Sequence, residues 1–288
     1  MARNVVKIKL DIIFKKLFTE NVTMLKNFLC DILDIPIGKV KSIQVLNGEI
    51  QPEDIQGKQV RLDIKIQMDD RIIDVEMQMQ DKGDFKDRIL YYWAKIFSEQ
   101  LKKGENYKDL NQTIAINILN YDLFDCKEPY STFKLLETER HELLTDKCIL
   151  LFFELTKVNK NVDKKDRKKL WLQLINAETE EDLIMIEKAG VPEINQAVDF
   201  IYKMSENEKI KEMAEAREAY LRDQRNAFYY YEEKGIEKGR LVGKQEGIQE
   251  GKLEGRLECL EDVLELMRKE GAAESLIQAT LDLKNKKK

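Results

Sequence analysis

Histidine is nearly missing from this sequence: His141 is the only one in 288 residues. Zinc sites built on several histidines are thereby excluded, and a Ser/His or Cys/His catalytic set would have to rest on that one side chain. The four cysteines, Cys30, Cys126, Cys148 and Cys259, are scattered without metal-ligand spacing, so neither a disulfide framework nor a zinc site is expected. Long apolar runs are absent as well, which argues against a membrane span. The opening stretch MARNVVKIKLD is interrupted by charges and lacks a signal-peptide core, and the expectation is a soluble cytoplasmic protein. There is no excess of positive charge: 49 Lys and Arg stand against 54 Asp and Glu, a net charge of −5, so any grip on nucleic acid needs a local basic patch. What remains for hydrolytic chemistry is carboxylate, and carboxylates select hard cations such as Mg²⁺, with Mn²⁺ as a substitute.

The length suits one large domain or two ordinary ones. Hydrophobic residues make up 43% of the chain, enough for a core, and the 36% of charged residues points to long solvated helices. Residues 21–34 read as an amphipathic helix ended by Pro36 and Gly38. Residues 41–46 form a short strand, and a polar loop through Gly48, Pro52 and Gly57 follows. Val60 to Met68 and Arg71 to Gln80 alternate strictly between apolar and polar, the mark of two half-buried strands around a turn at Asp69–Asp70. Asp84 can cap a helix reaching about Lys103, with Phe85, Ile89, Tyr92, Trp93 and Ile96 on its apolar side. Strands at 112–119, 131–136 and 148–155 complete an α/β core. After Lys157 the composition changes, and helical patterns run over 165–177, 179–189 and 192–231. The expected division is therefore 1–157, a helical region 158–233, and an arm 234–288.

The hairpin carries the chemistry. A two-residue turn at Asp69–Asp70 pairs Met68 with Arg71, and counting back along both strands sets Asp63 opposite Glu76. Their Cβ atoms should lie roughly 4.5–5.5 Å apart. Like charges so placed destabilise a sheet unless a cation lies between them or solvent screens them. A divalent ion held there would polarise a phosphate and activate water. The same register sets Lys65 against Asp74 as an ordinary ion pair, and Arg61 against Gln78, a cation and an amide placed to hold a scissile phosphate. Amphipathic hairpins also carry acids on their wet faces for no chemical reason, so alternation alone speaks for structure and not for catalysis.

The string RLDIKIQMDDRIIDVEMQMQ resembles the centre of the recombination-promoting nuclease/transposase family of the PD-(D/E)XK nuclease superfamily. DIIFKKLF at 11–18, VLNGEI at 45–50 and RILYYWAKIFSEQLKKGENY at 88–107 match in the same order, so the likeness spans roughly residues 8–156. The resemblance implies a restriction-endonuclease-like core, a mixed central sheet flanked by helices, followed by an α-helical C-terminal region. It also implies a Mg²⁺-dependent DNA endonuclease associated with recombination or mobile elements. Asp63 and Glu76 match the motif acids, and Gln78 stands where the wider superfamily has lysine. A neutral amide can orient water but cannot stabilise developing negative charge as a lysine does, so Lys65 or Arg61 would have to substitute from the same face. Asp11 matches a family position and reads either as a third acid at the metal or as a helix N-cap. The family pattern suggests that Arg88 and Tyr91 or Tyr92 meet DNA, although core packing accounts better for Tyr92.

Two later features stand apart. The basic run from Lys157 to Lys169, including Lys164 and Lys168, reads as a DNA-backbone grip or as a solvated helix face. Six glycines recur every fourth residue from Gly235 to Gly255, amid charges that exclude a lipid setting. Each costs a helix about 0.8–1 kcal/mol, so this stretch is either a flexible tether or a helix whose glycines admit a close partner. Beyond it Leu253, Leu257, Leu260, Leu264 and Met267 step alternately by four and three residues, a heptad row that implies a homodimer. Three functions follow from these readings. They are a metal-dependent DNA endonuclease, an inactive nuclease fold that binds DNA or protein, and a helix-turn-helix reader hinged at Gly271, which lacks a base-reading polar face.

Overall fold

The computed structural model describes residues 4–50, 60–81 and 83–285, without the side chains of residues 49, 50, 60, 61 and 284. Pro52 and Gly57 of the expected polar loop and the last lysines of the tail lie outside the described residues. Two compact units are present, Met1–Leu221 and Arg222–Lys288.

The first unit opens with helices α1 (Asp11–Thr19) and α2 (Val22–Ile32), followed by strands β1 (Ile43–Leu46), β2 (Glu49–Ile50), β3 (Val60–Arg61), β4 (Ile64–Met68) and β5 (Arg71–Gln78). Helix α3 (Phe85–Ser98) leads to β6 (Gln112–Leu119), β7 (Tyr130–Phe133) and β8 (Cys148–Glu154). Helices α4 (Arg167–Ile175), α5 (Glu180–Glu187), α6 (Pro192–Glu206) and the beginning of α7 (Glu208–Lys269) complete it. The helical stretch expected over 192–231 is divided at Asn207, whose extended backbone (φ −87°, ψ 112°) ends α6.

Six strands form a mixed sheet in the order β1-β4-β5-β6-β8-β7. β1, β4 and β5 are antiparallel neighbours, β6 runs parallel to β5 and to β8, and β7 closes the edge antiparallel to β8. β2 and β3 form a separate two-stranded ribbon. The sheet's polarity changes between β5 and β4, and the acids stand there.

One face of the sheet, through Ile64, Ile66, Ile73, Val75, Ile114, Ile116 and Phe153, shares a continuous apolar core with α1, α2, α4, α5 and α6. The composition change after Lys157 is thus not a break in the core. Trp171 of α4 is fully buried against Phe18 and Phe28, and its indole N–H donates to Asp31 at 2.7 Å. Burial of one such ring contributes roughly 1.5–3 kcal/mol. α3 covers the opposite face through Phe85 and Ile89 against Ala115, Leu119 and Phe152, and through Ile96 against Leu62 and Ile72. With helices on both sides, β5 is buried at nearly every position, so its polar residues do not face water as a two-layer hairpin would require.

The alternation from Val60 to Met68 does not yield one strand. Chain pairing breaks at Leu62–Asp63, where Leu62 N–H donates to the Gly48 carbonyl at 2.9 Å instead of continuing the β5 ladder. Leu62 therefore packs beneath α3, not beside Ile64 and Ile66. By the same break Arg61 pairs with Glu49 and not with Gln78, and its side chain lies outside the described residues.

In the second unit, the segment from Gly235 to Gly255 is helical, and the helix ends at Lys269 before Gly271, whose φ of +69° suits a residue without Cβ. α8 (Glu274–Asn285) follows, and Leu264 and Ile277 are buried within this unit. Among the described residues no helix is long and apolar enough to cross a membrane.

Candidate active site

β4 and β5 pair Met68 with Arg71 and Ile64 with Val75, the register that sets Asp63 beside Glu76. Because the chain bends at Asp63, its carboxylate turns into the ladder. Asp63 Oδ2 accepts from Met77 N–H at 2.9 Å, and Asp63 N–H donates to Glu76 Oε1 at 3.1 Å. Glu76 thus holds the Asp63 main chain, and Asp63 holds the main chain of Met77, the residue after Glu76. Gly48 permits this arrangement: a Cβ there would stand 2.6 Å from the Leu62 carbonyl oxygen.

Glu76 is further bonded by Gln78, whose Nε2 donates to Oε2 at 3.0 Å, while Arg88 Nη2 donates to Gln78 Oε1 at 2.9 Å. Arg88 consequently reaches the acids through an amide. Lys65 lies opposite Asp74 on the ladder, but its ammonium sits 3.6 Å from Glu99 Oε2 of the turn after α3. The expected Lys65–Asp74 ion pair is therefore replaced by one with Glu99. Asp74 is fully buried, and neither of its carboxylate oxygens has a hydrogen-bond partner among the described residues.

The electrostatics follow from burial and crowding. Burial, reinforced by the Asp63 charge, pushes the Glu76 carboxyl up to about 8, against the hydrogen bonds from Asp63 and Gln78 and the Arg88 charge. Burial also raises Asp63. There the Met77 N–H opposes the shift, the Asp11 charge adds to it, and the Lys15 and Arg217 cations lower it. Asp74 is raised well above the usual range by burial and by Glu76 and Asp63, with Lys65 opposing. Three crowded acids with raised proton affinity are a site short of positive charge.

Asp11 is the first residue of α1, with Leu10 as N-cap, so the N-cap reading does not hold. Both its oxygens are held by Arg217, from Nε at 2.7 Å and Nη2 at 2.6 Å. Tyr92 packs against the apolar clusters under α3 and borders the acids, whereas Tyr91 is exposed. Lys168 pairs with Asp34 and lies over the Tyr130 ring, and no contact among the described residues joins Lys164 or Lys168 to the carboxylates.

Sequence reasoning missed Asp74, Lys15 and Arg217. Asp74 could have been found, since it shares Glu76's face two residues earlier. Arg217 had no local signal, being one of many charges on a helix about 140 residues further on.

A family model described as PD-(D/E)XK nuclease family transposase matches residues 8–230. The chain belongs to that family. Its sheet and flanking helices agree with a restriction-endonuclease-like fold, and membership supports a nuclease function related to mobile elements. Comparison with curated proteins and with solved structures found no match.

PD-(D/E)XK nucleases generally use divalent metals. Among the described residues no group of three or more His, Cys, Asp or Glu side chains is arranged for a metal ion. The chemistry of the pair nonetheless suits one. Asp63 and Glu76 supply hard oxygen donors, Asp74 leaves two buried oxygens unbonded nearby, and all three acids favour a compensating cation. Mg²⁺ commonly takes only one or two protein carboxylates and fills its remaining positions with water.

Proposed function

We propose that this protein is a cytoplasmic, divalent-metal-dependent DNA endonuclease that hydrolyses phosphodiester bonds in recombination or element mobility. The observation that carries the reading is the interlock of Asp63 and Glu76, the residues that resemble the family's motif acids: Glu76 Oε1 accepts from Asp63 N–H and Asp63 Oδ2 from Met77 N–H, in a buried site crowded with carboxyl groups. Asp63 and Glu76 would hold Mg²⁺, or Mn²⁺ in its place. Such an ion would supply positive charge to a bound phosphate and lower the pKa of a bound water. Gln78, fixed by Arg88, orients Glu76 and has no charge of its own to offer the phosphate. Lys65 is the nearest cation on β4, and it must leave Glu99 to reach a substrate. Arg61, Arg88 and Tyr91 remain the candidates for binding DNA around the acids, with Lys164 and Lys168 as a separate basic surface. The arm is assigned to self-association through the row from Leu253 to Met267.

A second reading, a nuclease fold that binds DNA or protein without cutting, is favoured by one set of contacts: Gln78 replaces the superfamily lysine, and Lys65 and Arg88 are both engaged. Plasmid nicking separates the two. Mg²⁺- or Mn²⁺-dependent nicking by the parent, lost in both Asp63→Ala and Glu76→Ala, is expected. Nicking that survives both substitutions removes these acids from the site, and no nicking with any metal leaves the binding reading.

A further inference from the structure

The acids need a positive group that is free to meet a phosphate, and the cations nearest in sequence are committed. Arg88 is bonded to Gln78 and Lys65 to Glu99. Arg217, from the first turns of α7, is bonded as well, but keeps donors to spare. Its guanidinium grips Asp11 through Nε and Nη2, a two-point fork that uses two of its five N–H donors. The side chain keeps 30% of its surface in solvent, and no other acceptor is bonded to it among the described residues. Its position is fixed from several sides. Ile210 and Ala214 on the same helix are buried in the main core, Lys7 pairs with Glu218 at 2.9 Å, and Gln80 Nε2 donates to the Leu221 carbonyl at 3.0 Å. Gln80 lies two residues beyond Gln78, and Lys7 precedes α1, so these ties bracket the Asp63–Glu76 pair in the chain. Arg217 lies one helical turn before Leu221, and Gln80 follows Glu76 by four residues, so the Gln80–Leu221 bond holds this turn of α7 against the end of β5 that carries Glu76.

We propose that Arg217 is the phosphate-contacting cation of this site, presented by Asp11 as a positioning residue, and that it fills the electrostatic role left open by Gln78. The inference rests on the nuclease reading above. The guanidinium also lies over the Tyr220 ring, 5.1 Å from its centre. The donors not used by Asp11 can take a phosphate oxygen while the fork stays bound, and a fixed guanidinium meets phosphate with less ordering cost than a free lysine. Asp11 then serves as the anchor of the fork and not as a metal ligand.

The test is the affinity of the full chain for a short fluorescein-labelled DNA duplex, read by anisotropy across a salt series, with Ca²⁺ in place of Mg²⁺. Arg217→Gln is expected to weaken binding about tenfold and to lower the slope of log affinity against log salt by about one. Arg217→Lys, which keeps the charge and loses the fork, should keep the slope and lose about threefold in affinity. Asp11→Asn, which leaves the cation in place, should keep the slope. A brace with no contact to DNA would lower the melting temperature alike in Arg217→Gln and Asp11→Asn without moving the slope, and that result overturns the proposal. If Arg217→Gln does not fold, Arg217→Lys decides: affinity and slope equal to the parent's overturn it. A parent chain that binds no duplex overturns the nuclease reading and this inference together, whereas parental binding unchanged in the Arg217 variants overturns this inference alone.

Discussion

At the scale of single residues, the site depends on a bend that no acid makes by itself. Asp63 reaches the Met77 N–H because Leu62 has turned to the Gly48 carbonyl, and Gly48 allows that approach by lacking a Cβ. A methyl group 2.6 Å from a backbone oxygen has no flexible neighbour to displace. Gly48→Ala should therefore cost about 1–3 kcal/mol in stability by overpacking. It should also shift Asp63 enough to lower nicking by about ten- to a hundredfold. Thermal melting and plasmid nicking measure the two effects, and a variant with parental nicking would detach Gly48 from the site. The pairing of Asp63 with Glu76 was legible in the residues, since alternation and a two-residue turn leave few registers. The bend was not, because Leu62 continues the apolar pattern while packing on the other face.

Among the elements, the glycine-bearing part of α7 poses the sharpest conflict between local preference and structure. Each glycine disfavours helix by about 0.8–1 kcal/mol. The segment is nevertheless helical, and a Cβ built at any of the six positions meets nothing within 4 Å. No contact among the described residues requires these glycines. Replacing Gly239, Gly243 and Gly247 together by alanine should raise helical content and arm stability, read by circular dichroism. Self-association should persist in that variant, because it is assigned to the leucine row; light scattering that shows the variant dissociated would move the interface to the glycines instead. A parent chain that is monomeric at tens of micromolar would remove the self-association assignment. Part of the row is also satisfied internally, since Leu264 is buried and Met267 Sδ accepts from Thr280 of α8.

For the whole molecule, the raised acids link stability to pH. Glu76 has an ordinary value of 4.5 and about 8 in the folded chain, and Asp63 and Asp74 are shifted in the same direction. The folded state thus holds protons that the unfolded chain releases. Stability from Glu76 is fully present below pH 4.5 and is lost as pH rises through about 8, and the two aspartates act in the same direction. In the absence of divalent metal, stability should fall by on the order of a few kcal/mol between mildly acidic and mildly alkaline pH, read as a lower melting temperature. Glu76→Gln should flatten that fall, and Mg²⁺ should reverse it at the alkaline end by binding the ionised acids. A metal-free melting temperature that is level or rising over this range would show that the acids are not crowded as described.

The amino-acid sequence alone determined the elements that local rules govern: the β4–β5 register, the buried strand at Gln112–Leu119, the amphipathic α2, and the stop at Gly271. These follow from periodicity, turn geometry and capping, which act over a few residues. Only the tertiary structure decided that α3 would bury Asp74 and Glu76, that α4 to α6 would join the sheet's core, and that Arg217 would meet Asp11. Burial and long-range charge pairing depend on which faces meet in space, and a helix with many charged residues does not disclose which one it will spend on a partner two hundred positions away.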